Sequence, residues 1–360
     1  MIPAKHWVET LTHTIHRYFI WIIITSYFIA ALLPGFGIWI REVELGSIVL
    51  FQNKIDFSLP PLMLSLLLFN AGLGVKTKQL TQLAQKPLIL LSGLSGNVLI
   101  PLFFIIGISF IMKFWHNPEE VQHILVGLAL VASMPIAGAS TAWAQNANGN
   151  LALSLGLVLL ATLLSPILTP LVLHAVGFVT TGDYSEDLHE IASDGVITFL
   201  GIWVILPSLL GILAHRLIGE SRLAEVKPHV KLINYCILLL LNYSNASLSL
   251  PKALSQPDID FLAIMLAIVV ALCLATFATG YLLAQIFRSD RKDMASLMFG
   301  LGMNNNGTGL VLVSVALADH PQVMLPIIFY NLVQHLIASF VDFTLFQRRS
   351  ELYMPVRRMR

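Results

Sequence analysis

Charge is what this sequence has least of. Its 20 acidic and 21 basic residues make up 11% of 360, where a soluble domain carries about 25%. A water-soluble domain is thereby excluded. With 56% hydrophobic residues and a mean hydropathy of +0.79, the chain reads as an all-α polytopic membrane protein. Only two cysteines occur, Cys236 and Cys273, in separate apolar runs, which excludes a disulfide framework and a cysteine metal site. The net charge of +1 says nothing about partners until it is divided by side; no nucleic acid is expected, and the partner that composition implies is a lipid bilayer. The N-terminal MIPAKHWVETLTHTIHRY lacks a short apolar region with a small-residue cleavage site, so no removable signal peptide is expected. No arrangement of serine, histidine and carboxylate suggests an enzyme.

A membrane helix needs about 20 mostly apolar residues, and ten such stretches can be read. They run from Arg17–Tyr18 to Ile40, Leu59 to Val75, Leu88 to Met112, Val121 to Asn146 and Leu151 to Val179. After an acidic segment (Asp183, Glu186, Asp187, Glu190) follow Val196 to Leu217, Val230 to Leu250, Phe261 to Phe287, Met294 to Ala318 and Met324 to Phe346. Charge placement tests the count. Ten spans put only Arg41, Lys54, Lys113 and Lys252 on one side and the other seventeen of the 21 basic residues opposite. That asymmetry predicts cytoplasmic termini. Short loops suit the inner membrane of a bacterium.

Ten spans divide into two fives of opposite orientation, the geometry of an inverted repeat. The expected units are 1–179, an acidic extracytoplasmic linker 180–195, a second repeat 196–347 and a basic cytoplasmic tail 348–360. Each fourth span is interrupted: PIAGAST from Pro135 to Thr141, and GMNNNGTG from Gly302 to Gly309. Glycine and asparagine are poor helix-interior residues, so both segments should unwind. Unwound backbone at membrane depth must be buried in protein or line a polar cavity. Paired interruptions point to a midplane binding site.

Leu66 to Gly74, Met134 to Thr141, Asn148 to Ser154, Leu163 to Pro170, Leu206 to Gly211, and Gly302-Met303-Asn304-Asn305 with Gly307 follow one another in a recognisable order. In these segments, and so along nearly its whole length, the chain resembles the bile acid:sodium symporter family. It implies a panel of spans one, two, six and seven beside a core of spans three to five and eight to ten, in which broken spans four and nine cross. It also implies sodium ligands, and here the sequence departs from the pattern. Gly300 stands where two-sodium members have glutamate, Asn304 where they have glutamine, and Val158 where they have threonine; the third-span glutamine falls at Gly96, beside Asn97. Ser140 and Ser154 are kept, and Thr141 replaces an asparagine. No cofactor is expected beyond at most one weakly held sodium ion, on oxygens of Ser140, Thr141, Ser154, Asn97, Met303 and Asn304.

The implied substrate is an organic anion, which the half-helix N-termini also favour because their free N–H groups carry partial positive charge. Candidate contacts are Asn305, Asn306, Thr308, Ser140 and Thr141, with Asn242 and Asn245 from a polar stripe that continues to Ser249. No arginine or lysine falls near the crossover in sequence, which favours a small monoanion or amphipathic acid. Among in-span ionisable groups, His335 reads as a hydrogen-bonded packing residue and Asp342 as a partner for Arg348 or Arg349. A cation/proton antiporter would need acids at the crossing, and an arsenite-type carrier a cysteine in span four; both are missing. The second reading is a non-transporting receptor or sensor that keeps the transporter fold. Oligomeric state is not readable.

Overall fold

The computed structural model describes residues 4–50, 53–75 and 86–347. The basic tail with Arg348 and Arg349, and the loop with Lys76 and Lys78, lie outside the described residues. The described residues are all-α apart from one hairpin. It opens with α1 (Ala4–Arg17), α2 (Phe19–Leu32) and α3 (Gly35–Glu42). The last two form one stretch bent by 90°, and the bend falls at Pro34, whose ring and missing N–H end a helix. An antiparallel hairpin of β1 (Glu44–Leu50) and β2 (Asn53–Ser58) leads into α4 (Leu59–Leu73).

Then come α5 (Pro87–Met112), α6 (Pro118–Ser133), α7 (Ala139–Asn146) and α8 (Leu151–Gly177). The short α9 (Asp183–Glu190) holds the acidic segment. It is followed by α10 (Val196–Ile218), α11 (Glu220–Ser255) and α12 (Ile259–Ile286). The chain ends in α13 (Arg291–Gly302), α14 (Asn306–Ala316) and α15 (Met324–Val341). Among the described residues, α5, α8, α10, α12 and the Pro321–Phe346 stretch around α15 are each long and apolar enough to cross a membrane. The other stretches read as spans are short (α4), bent (α2–α3), broken (α6–α7 and α13–α14), or run on beyond the apolar part, as in the 36-residue α11.

The protein is built around its broken helices. Every residue of α6 from Glu120 to Ser133 is buried, as is every residue of α13 from Ala295 to Gly302. A helix that is apolar all round is one buried on all sides, as in Ile124 to Ala132 of α6; the buried polar groups before it are bonded, Glu120 to Trp115 and Asn117, Gln122 to the Thr181 N–H, and His123 to Tyr184. Close approach is set by small residues, as between membrane helices generally. Gly280 on α12 is one such point: a Cβ there would lie 2.5 Å from Met298 Cα and 2.6 Å from the Leu297 carbonyl oxygen. Backbone cannot rotate out of the way, so Gly280→Ala should push α12 off α13. The expected loss is about 1–3 kcal/mol or more, read as a lower melting temperature in detergent. Gly107→Ala, on an exposed face of α5 with open space around it, should cost nothing and is the matched control.

Candidate functional site

Pro135 creates the first break. A helix carbonyl at position 131 needs the N–H of residue 135, and proline has none. The Val131 carbonyl is taken instead by the Asn304 carboxamide, Nδ2 donating at 2.9 Å. Ser133, at the end of α6, has its carbonyl capped by Thr169 Oγ1 of α8 at 2.6 Å. The unwound segments then pair as a two-residue antiparallel bridge, Ile136 opposite Asn304. Ala137 N–H donates to the Met303 carbonyl at 2.9 Å, and Asn305 N–H donates to the Pro135 carbonyl at 2.8 Å. Each broken helix thus satisfies backbone groups that the other leaves open, as burial requires.

The three asparagines divide the work. Asn304, 1% exposed, is fully engaged: besides Val131, its Oδ1 accepts from Asn97 Nδ2 at 3.3 Å, and its N–H donates to Gln334 Oε1 at 3.1 Å. Asn305 is the N-cap of α14, its Oδ1 accepting from Thr308 N–H at 3.3 Å. Asn306 lies in the first turn, buried, and neither carboxamide atom has a partner among the described residues. The same holds for Thr308 Oγ1, Ser140 Oγ and Asn97 Oδ1. Buried polar groups are normally bonded, and each exception calls for an explanation. Five unpaired atoms around two half-helix N-termini are what a bound polar ligand would satisfy.

The sodium candidates separate into two groups. Thr141 Oγ1 and Ser154 Oγ touch at 3.2 Å, with Ser154 wholly buried, so their hydroxyl oxygens can converge on one small cation beside Ser140. Around Gly300 the surroundings are hydrocarbon. A Cβ at Gly300 would meet Leu157 Cδ1 at 3.0 Å, and one at Gly96 would meet Leu301 Cδ2 at 3.1 Å. Leu157 belongs to an apolar cluster with Leu90, Leu94, Leu153 and Leu297. Side-chain oxygen is therefore scarce on that side. Met303 offers only its carbonyl, already accepting from Ala137, although a carbonyl has a second lone pair.

Asn242 and Asn245 are on α11, which packs against α14. Both are buried, and each Nδ2 is unpartnered among the described residues, as is Ser249 Oγ. The fold adds a cation that the sequence order hid. Arg41, in the last turn of α3, donates from Nη1 to Asn245 Oδ1 at 2.7 Å and from Nη2 to the Ser314 carbonyl of α14 at 3.0 Å. Sequence distance gave no hint of this, because the 90° bend carries α3 across α11.

Other groups complete the surroundings. From the crossover, Gln334 Nε2 donates to Asn331 Oδ1 at 3.3 Å and Asn331 Nδ2 to Tyr27 OH at 2.9 Å, a polar run reaching α2. Asn331 and Gln334, three apart on α15, interrupt an apolar run, the one signal that could have marked them. His335 accepts from Trp143 Nε1 at 3.5 Å and packs edge-on against Phe19. At the other end of α13, buried Asp293 pairs with Lys86 and accepts from Asn150 Nδ2 at 2.8 Å. The hydrogen bond to Asp293 holds the Lys86 ammonium above the usual lysine range.

The chain is similar to known proteins. The model of the sodium bile acid symporter family matches residues 61–256. Two proteins of Bacillus subtilis (strain 168) are similar. The uncharacterized protein YbaS is 26% identical over 221 residues, covering 61% of this chain and 68% of that one. YocS, described as an uncharacterized sodium-dependent transporter, is 22% identical over 289 residues, covering 78% of this chain and 81% of its own length.

Proposed function

The chain belongs to the sodium bile acid symporter family, a family of membrane transporters, and from that premise we propose that it is a secondary carrier of a small or amphipathic organic anion. In this reading the helices form ten spans in two inverted repeats, 1–179 and 196–347, joined by the acidic linker 180–195 and followed by a basic cytoplasmic tail, 348–360. Both termini face the cytoplasm of a bacterial cell. Spans one, two, six and seven form the panel. Spans three to five and eight to ten form the core, and rocking of one against the other exposes the crossover to each side in turn.

One observation supports this most. The two broken helices meet through the Ile136–Asn304 bridge, and the polar atoms around it that lack partners belong to Ser140, Asn306, Thr308 and Asn97. The N-termini of α7 and α14 offer partial positive charge to an anion, while carbonyl and hydroxyl oxygens suit a cation. We further propose that sodium coupling is weakened to at most one ion, held near Ser140, Thr141 and Ser154. Removing the carboxylate at position 300 takes away the charge that would compensate a desolvated second ion.

The test is counterflow of labelled cholate or butyrate in proteoliposomes, with and without an inward sodium gradient. Saturable counterflow that changes no more than about threefold with sodium, roughly 0.6 kcal/mol of coupling, is the expected result. A strict sodium requirement with two-ion cooperativity would overturn the coupling proposal. Specific binding without counterflow would replace the carrier by a receptor.

A further inference from the structure

We propose that Arg41 and Asn245 form a carboxylate-recognition subsite at the outer end of the transport path; this rests on the organic-anion reading above. The guanidinium is half-buried, and among the described residues it meets two neutral oxygens, the Asn245 carboxamide and the Ser314 carbonyl. A planar fork of donors is suited to a bidentate carboxylate, and among the described residues no acidic group is bonded to it. Asn245 brings a second donor: its Nδ2 is buried and, among the described residues, unpartnered, as are Asn242 Nδ2 and Ser249 Oγ on the same stripe of α11. An arriving carboxylate would accept from Arg41 and from Asn245 Nδ2, and so supply the acceptor that the amide lacks.

Position fits the role. Ser314 is eight residues along α14 from Asn306, about 12 Å at the rise of an α-helix. An amphipathic acid with its carboxylate on Arg41 would thus reach toward the unpaired groups of Thr308 and Asn306. The ordinary alternative is that Arg41 only caps the C-terminus of α14, where a cation meets the negative end of the dipole. A cap would have no preference for a ligand's charge, and this separates the two.

The experiment measures binding of butyrate, and of cholate below its micellar concentration, each against its neutral methyl ester. Purified wild type is compared with Arg41→Lys and Arg41→Gln, with melting temperature and gel filtration as controls for folding. Wild type should prefer each acid to its ester. Arg41→Gln should lose about tenfold or more of acid affinity, the usual strength of a charge-assisted pair, with ester affinity unchanged. Arg41→Lys should fall between. Equal loss of acid and ester, or no loss of either, would overturn the subsite while leaving the carrier reading intact. Failure of wild type to bind or exchange either acid would overturn both.

Discussion

Asn304→Ala should abolish uptake and cost about 2–6 kcal/mol of stability, from two buried groups losing their partners at roughly 1–3 kcal/mol each. The first is the Val131 carbonyl, which cannot find a helical N–H because residue 135 is proline. The second is Asn97 Nδ2, which donates to Asn304 Oδ1. Alanine fills neither role, and the crossover is too buried for bulk water to replace it. Asn305→Ala is the informative comparison. Its backbone bond to Pro135 survives and only the N-cap to Thr308 is lost, typically about 1 kcal/mol. Melting curves in detergent, with uptake normalised to folded protein, rank the two. If Asn304→Ala melted like the wild type, Val131 would have another acceptor-satisfying route and the crossover would not depend on this side chain.

The contrast between these neighbours shows what the sequence could and could not disclose. Three asparagines between glycines announced a break, because helix propensity is local and falls at these residues. Which amide is clamp, cap or free group depends on the partner helix, and nothing within the run distinguishes Asn304 from Asn306. Long apolar stretches were equally legible. Leu59 and Leu151 begin helices as hydropathy suggests, and the interruption at Pro135 falls between α6 and α7.

Features governed by short-range signals leave little mark on hydropathy. The hairpin Glu44–Ser58 is shorter than a membrane span, although Ile48, Val49, Ile55 and Phe57 are strand formers. The amphipathic α1 carries polar residues throughout and gives no span signal. Pro34 stood in plain view inside the first span, and the 90° turn there is what delivers Arg41 to Asn245 and Ser314. The Lys86–Asp293 pair and the Gln334–Asn331–Tyr27 run link residues up to 304 apart. Such contacts are set by packing, and a single sequence carries no periodic trace of them.

Gly300→Glu tests whether the proposed weakening of sodium coupling is a matter of one residue or of the space around it. The family pattern puts a carboxylate at this position, yet restoring it alone should destabilise the protein and confer no sodium dependence. Leu157, wholly buried, already occupies the volume: its Cδ1 lies 3.0 Å from where a Cβ would sit. Forcing extra atoms into a packed core costs about 1–3 kcal/mol. The carboxyl group would in addition enter the apolar cluster of Leu90, Leu94, Leu153 and Leu297 without a donor, where an ionised form is strongly disfavoured and the group stays protonated. A protonated carboxyl offers sodium little. Leu157→Ala combined with Gly300→Glu opens the space and should be more stable than the sum of the single changes, since the two residues are in contact. The double variant should also show a melting temperature that rises in sodium chloride relative to potassium chloride, which neither single variant shows. If Gly300→Glu alone were as stable as the wild type and gained sodium dependence, Leu157 would not be what blocks a carboxylate here, and the proposed weakening of coupling would reside in position 300 by itself.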